Sequence, residues 1–201
     1  MTALVHVVTT GVANTASVVA ALRRLGADVA PAVDAATVRR AVRLVLPGVG
    51  AFAAAAAAID RMGLRDALRE RVLAGRPTLA ICLGLQLLGA ASDESPGVAG
   101  LGVVPATARR FPSSVRVPQI GWNAVAPAPG SPLPAGVAYF ANSYRFDAVP
   151  DGWHALVSDH GGPFVAALAR GGALACQFHP ELSGAYGSRL LQRWLAGAEA
   201  R

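Results

Sequence analysis

The chain has 201 residues, 53% of them hydrophobic and 15% charged, a balance that fills one folded core and excludes a disordered chain. Its net charge is +6, and since it contains no lysine the basic side is all arginine, in scattered pairs with few aromatics between them, which excludes a dense nucleic-acid-binding stripe. The longest charge-free stretch, Val117 to Tyr144, is broken by prolines and glycines, and the N-terminus lacks a basic region leading into a long apolar run, so neither a membrane span nor a secretion signal is expected.

Leu4 to Thr9 is a short β-branched apolar run and reads as a buried strand, ended by Gly11. Asn14 is placed to cap a helix running to about Leu25, with Val18, Val19, Leu22 and Leu25 at helical spacing. A weaker strand surrounds Val29, and Leu44–Leu46 forms another that stops at Pro47-Gly48. The alanine run 53–58 and the segment Leu64–Leu73 read as helices, since alanine is the best helix former. Thr78–Cys82 is a strand, and a helix begins two or three residues later, over Leu85–Ala90. This alternation predicts a mostly parallel sheet with helices on both faces.

After residue 100 the pattern changes. Prolines and glycines are frequent, and the strands are short: Val137–Asn142, Ala155–Val157, Phe164–Leu168 and Leu174–Phe178. Gly161-Gly162 and Gly171-Gly172 are hairpin-like turns, so an antiparallel extension is expected. A last helix runs from about Ala185 to Ala196. With no linker and no internal repeat, residues 1–201 read as a single α/β domain.

Three segments could carry chemistry. Cys82 ends an apolar strand just before a helix, which projects its side chain at the carboxyl end of the sheet, where ligand sites of α/β folds gather. The positive end of a helix favours a thiolate placed there, and the N–H of Leu83 would face an oxyanion formed at a substrate carbonyl. His179 and Glu181 lie two apart after a strand, where a carboxylate can orient an imidazole. Pro47-Gly48-Val49-Gly50 has the glycines needed to turn a backbone N–H inward as a second oxyanion donor. Cys176 is out of phase with His179 on its strand and reads as core. His6 lies within the first strand, while His154 and His160 have no carboxylate two residues on. No metal-ligand spacing and no phosphate loop occurs, so neither a metal nor a cofactor is expected. Two cysteines make no disulfide framework, which fits reduced thiols in the cytoplasm.

With these residues in view the chain resembles the class I, triad-type glutamine amidotransferases, over nearly its whole length. The motifs are Leu46-Pro47-Gly48-Val49-Gly50-Ala51-Phe52, Ile81-Cys82-Leu83-Gly84-Leu85-Gln86-Leu87-Leu88, Gly100-Leu101-Gly102, Val117-Pro118-Gln119-Ile120-Gly121-Trp122-Asn123, Tyr139-Phe140-Ala141-Asn142-Ser143-Tyr144 and Gln177-Phe178-His179-Pro180-Glu181. Pro-Gly-Val-Gly and Gly-Trp-Asn bring it closest to the glutaminase subunits of imidazole glycerol phosphate synthase. The resemblance implies a flavodoxin-like three-layer sandwich, mostly parallel, with a C-terminal antiparallel extension. It implies Cys82 as nucleophile on glutamine, His179 as base and acid, and Glu181 as its support. Val49, Gly50 and Leu83 would serve the oxyanion, and Gln86 with the backbone of Asn142, Ser143 and Tyr144 would bind glutamine. It also implies a (β/α)8-barrel cyclase partner that receives the ammonia in histidine biosynthesis and makes imidazole glycerol phosphate and an aminoimidazole carboxamide ribotide. Asn14, Trp122, Tyr139 and Leu182 would lie at the partner interface or ammonia gate. The sequence departs from the family's Asp-Tyr-Gly-x-Gly-Asn at Thr9–Asn14, from His-Ser-Tyr at Asn142, and from a basic residue at Leu182.

Overall fold

The computed structural model describes residues 3–9 and 15–197. The elements in chain order are β1 (Leu4–Val8), α1 (Ala16–Arg24), β2 (Asp28–Ala32), α2 (Ala35–Arg40), β3 (Arg43–Leu46), α3 (Phe52–Arg61), α4 (Arg65–Leu73), β4 (Thr78–Ile81) and α5 (Leu83–Leu88). There follow β5 (Ala91–Ser92), β6 (Thr107–Arg110), β7 (Gln119–Pro127), β8 (Gly136–Asn142), β9 (Tyr144–Arg145), β10 (His154–Asp159), β11 (Pro163–Arg170), β12 (Ala173–Cys176), a 3-10 turn (Pro180–Leu182) and α6 (Gly184–Ala196).

Nine strands form one sheet in the order β2-β1-β3-β4-β12-β11-β10-β7-β8. The half from β2 to β12 is parallel, and β12 to β8 is an antiparallel ladder. The central strands are apolar throughout because both of their faces are covered. Alternation sorts their side chains into two cores. Leu44, Leu46, Ala80, Ala173 and Ala175 join Phe52, Leu68 and Leu85 of α3, α4 and α5. Val45, Leu79, Ile81, Leu174 and Cys176 join Leu22 of α1 and Leu190, Leu191 and Trp194 of α6. The result is the three-layer α/β sandwich that the alternating elements predict. No helix among the described residues is long and apolar enough to cross a membrane.

The structure corrects several boundaries. α5 starts at Leu83, directly after Cys82, not two or three residues on, because the Cys82 carbonyl already accepts from the Leu85 N–H at 3.0 Å. β7 lies in the proline-rich stretch where no strand was expected. Its side chains are exposed at Ile120 and Trp122, so it lacks the apolar face by which a strand is recognised. α2 was also unforeseen, although Asp34 caps it by accepting from the Thr37 N–H at 2.7 Å. Asn14, expected as both a helix cap and an interface residue, lies outside the described residues, and α1 begins at Ala16.

The buried Arg71 was not anticipated either. From α4 its guanidinium donates to Thr78 Oγ1 and to the carbonyls of Val38, Ala41, Val42 and Pro77. Burial, with the charge of Arg76 adding to it, lowers its pKa to about 10. These bonds tie α2, β3 and β4 together, and β3 and β4 both deliver their ends to the site described next.

Candidate active site

β3 and β4 are parallel neighbours, with Leu46 beside Ala80, so the segments that follow them emerge side by side. After β4 the chain turns sharply at Cys82, whose φ of 53° and ψ of −110° make it the one non-glycine residue of positive φ among those described. Such a conformation costs on the order of 1–3 kcal/mol and persists only where the surroundings enforce it. Here the Cys82 N–H is held by the Cys176 carbonyl at 2.7 Å. Two glycines let the neighbouring segments approach. A Cβ on Gly48 would stand 2.3 Å from the Gly84 nitrogen, and one on Gly84 would stand 2.2 Å from the Leu46 carbonyl oxygen.

β12 runs parallel to β4 and carries Gln177, Phe178 and His179 out of its end, next to the cysteine turn. The 3-10 turn folds Glu181 back under the imidazole, and His179 Nδ1 lies 2.9 Å from Glu181 Oε1. The other carboxylate oxygen of Glu181 is buried without a hydrogen-bond partner among the described residues. Burial by itself would lower the His179 pKa. The hydrogen bonds and charges of Cys82 and Glu181 outweigh it and raise it to about 10. The ring therefore holds a proton at neutral pH, beside the Cys82 sulfur. Cys176 is wholly buried in the core, and burial, with Glu181's charge in second place, pushes its thiol up.

Cys82 and His179 open into a cavity of about 260 Å³. Val49 and Gly50 line it from the β3 side, Cys82, Leu83 and Gln86 from the elbow, and Asn142, Ser143 and Tyr144 from the end of β8, with His179 on the remaining wall. Leu83 opens α5, and the first N–H groups of a helix have no partner within it. Gly50 has φ 95°, a conformation that glycine adopts without strain. Gln86 Nε2 donates to the Tyr144 carbonyl at 3.2 Å, as does Asn142 Nδ2 at 3.0 Å, while the Ser143 carbonyl accepts from the Phe111 N–H.

Sequence reasoning missed Glu94, which also lines the cavity. Its Oε2 accepts from the Phe52 N–H at the start of α3 at 2.8 Å, which fixes the carboxylate at the cavity edge. An acid in a loop after α5 carries no local signal. Trp122, Tyr139 and Leu182 do not line the cavity. Trp122 and Tyr139 are cross-strand partners on β7 and β8, with ring centroids 5.8 Å apart in an edge-to-face contact, and Leu182 follows Glu181. Trp122 is 59% exposed and Leu182 46%. His160 is engaged elsewhere, with its ring 2.8 Å from the Arg116 carbonyl.

The family "Glutamine amidotransferase class-I" matches residues 6–197 of the chain. The chain is 42% identical over 197 residues to the imidazole glycerol phosphate synthase subunit HisH of Symbiobacterium thermophilum, covering 96% of this chain and 93% of that one. It is 40% identical to the chloroplastic imidazole glycerol phosphate synthase hisHF of Arabidopsis thaliana, over 92% of this chain and 33% of that longer protein. In fold it is similar to a crystal structure of a glutamine amidotransferase, with a TM-score of 0.76 at 22% identity, covering 96% of this chain and 98% of the other. Over nearly its whole length, therefore, the chain belongs to the class-I glutamine amidotransferases, in the branch of the HisH subunits of imidazole glycerol phosphate synthase.

Proposed function

We propose that the chain hydrolyses glutamine to glutamate and ammonia, and that it supplies the ammonia as the glutaminase subunit of imidazole glycerol phosphate synthase in histidine biosynthesis. The observation that carries the reading is the strained Cys82 facing a His179–Glu181 pair in a cavity sized for a small molecule. Cys82 Sγ attacks the side-chain amide carbon of glutamine. The oxyanion is met by the Leu83 N–H and by the backbone of Val49-Gly50. His179 hands a proton to the departing ammonia, leaving a thioester. Water then attacks the thioester, His179 takes the water's proton, and glutamate leaves. Glu181 fixes the tautomer and tilt of the ring throughout. Gln86 and the Asn142–Tyr144 segment position the substrate, and Glu94 suits its α-ammonium group by charge.

The exposed apolar surface of Trp122 and Leu182, with the half-buried Tyr139 packed against Trp122, suits a protein partner better than solvent. The fused hisHF relative supports a partner encoded with this domain in one chain. We infer that the partner is the (β/α)8-barrel cyclase, which encloses the cavity mouth and consumes the ammonia to make imidazole glycerol phosphate and an aminoimidazole carboxamide ribotide, in the cytoplasm. The test is glutaminase activity measured with and without the cyclase and its ribotide ligand. A large rise on adding both is the expected result. Cys82→Ala abolishes glutamine-dependent synthesis and leaves synthesis from added ammonia intact; a variant that keeps the former refutes the assignment.

A further inference from the structure

Gln177 is fully buried and lies two residues before His179. Its backbone N–H donates to the Ala166 carbonyl at 2.8 Å, which fixes the direction of its side chain. That side chain bridges two residues of the cavity. Nε2 donates to Cys82 Sγ at 3.7 Å, and Oε1 accepts from Gln86 Nε2 at 3.1 Å.

The polarity of this bridge is forced from one end. The Tyr144 carbonyl can only accept, so Gln86 presents its NH2 group there. The same NH2 group meets Gln177, which must therefore offer its oxygen. The NH2 of Gln177 is left to face the sulfur. Two amides thus relay a donor from a backbone carbonyl at the substrate segment to the back of the thiol. A donor aimed at sulfur stabilises negative charge there, and inside a buried site such a bond is worth more than in water.

We propose that Gln177 is a positioning residue for Cys82, a buried amide donor that holds the sulfur in line and favours its anion, with its orientation set through Gln86 by the Tyr144 carbonyl. This rests on Cys82 being the nucleophile.

Two substitutions separate the halves of the bridge. Gln177→Glu has the same shape and keeps an acceptor for Gln86, but as a carboxylate it has no donor for sulfur. Gln177→Met removes both. Each variant is assayed in complex with the cyclase and its ligand, with thermal unfolding to confirm that it is folded. Both are expected to lower kcat for glutamine hydrolysis, and the rate of Cys82 alkylation by iodoacetamide, by about tenfold. Gln177→Glu should leave KM for glutamine within about twofold, whereas Gln177→Met should raise KM because Gln86 loses its anchor. Alkylation and kcat within about twofold of the parent in both variants overturn the proposal, whatever happens to KM. Cys82→Ala is the separate control: retained glutaminase activity there would refute the nucleophile itself, while the Gln177 variants report only on how the sulfur is held.

Discussion

The backbone N–H of His179 donates to the carbonyl of Tyr139 at 2.9 Å, so the imidazole and the half-buried tyrosine hang from one joint. Ser183 closes that joint. Its Oγ accepts from the Tyr139 N–H at 2.9 Å and donates to the His179 carbonyl at 2.6 Å, and the residue is 1% exposed. Ser183→Ala removes both bonds and leaves a buried N–H without its acceptor. The expected cost is about 1–3 kcal/mol, at roughly 2–4 °C of thermal midpoint per kcal/mol for a chain of this size. Glutaminase activity in the complex should fall with it, because the ring loses its fixed height over Cys82. Scanning calorimetry and the coupled assay check both, and a variant that melts with the parent at full activity would sink the idea of a joint.

His179 should also make stability depend on pH. Its folded pKa of about 10 lies above the free value of about 6.5, because the bonds and charges of Cys82 and Glu181 outweigh burial. The folded state then binds the proton more tightly than the unfolded one. The resulting stabilisation is full below about pH 6.5 and is lost as pH rises through about 10. Glu181→Gln removes one of the two partners that raise that pKa. The gap in thermal midpoint between parent and variant should be widest near neutral pH and shrink towards pH 10. A gap constant across that range contradicts the ion pair.

Gly84→Ala tests the fit between the two loops. The new Cβ would stand 2.2 Å from the Leu46 carbonyl oxygen, and neither group is the flexible end of a side chain. The β3 turn and the cysteine elbow must separate. The expected loss is about 1–3 kcal/mol of stability, typical of overpacking, together with most of the glutaminase activity. As a comparison, Gly26→Ala meets no atom within 4 Å and is far from the site, although its φ of 83° disfavours alanine. Both variants should destabilise, but only Gly84→Ala should slow alkylation of Cys82 in the folded protein.

Legibility in the sequence followed the locality of each signal. The turn at Cys82 could be read because an apolar strand, a cysteine and a helix follow one another without a gap, and His179–Glu181 because the two residues lie two apart after a strand, although a 3-10 turn and not extended chain brings their side chains together. Glu94 could not be read, since its place at the cavity depends on a contact with Phe52, 42 residues away. Gln177 was visible only as a motif letter; its bond to Cys82 spans 95 positions. Arg71 carries no local signal of burial, and its place is explained by the acceptors that converge on it from other segments, the carbonyls of Val38, Ala41, Val42 and Pro77 and the Thr78 hydroxyl. β7 escaped because alternation marks a strand only where one face is apolar and covered, and here the large apolar residues Ile120 and Trp122 point away from the core.

Register places Ile120 beside Ala141, Trp122 beside Tyr139 and Ala124 beside Val137, all on one side of the β7–β8 pair. Ile120, Trp122 and Val137 are each more than half exposed. In the free chain the Trp122 ring rests on Tyr139 alone among aromatic neighbours within the described residues, so removing it costs the isolated fold little. In a complex the same ring would be enclosed, and a buried tryptophan at the centre of an interface is worth on the order of 2 kcal/mol or more. Trp122→Ala should therefore leave the thermal midpoint of the free chain nearly unchanged and weaken its Kd for the cyclase by at least about tenfold. Calorimetric titration of the cyclase measures the second and thermal unfolding the first. Because Tyr139 sits on the joint with His179, the variant should also blunt the rise in glutaminase activity at saturating cyclase. An unchanged Kd would move the partner to another face, and a restored rise at saturation would confine Trp122 to binding and leave activation to Tyr139.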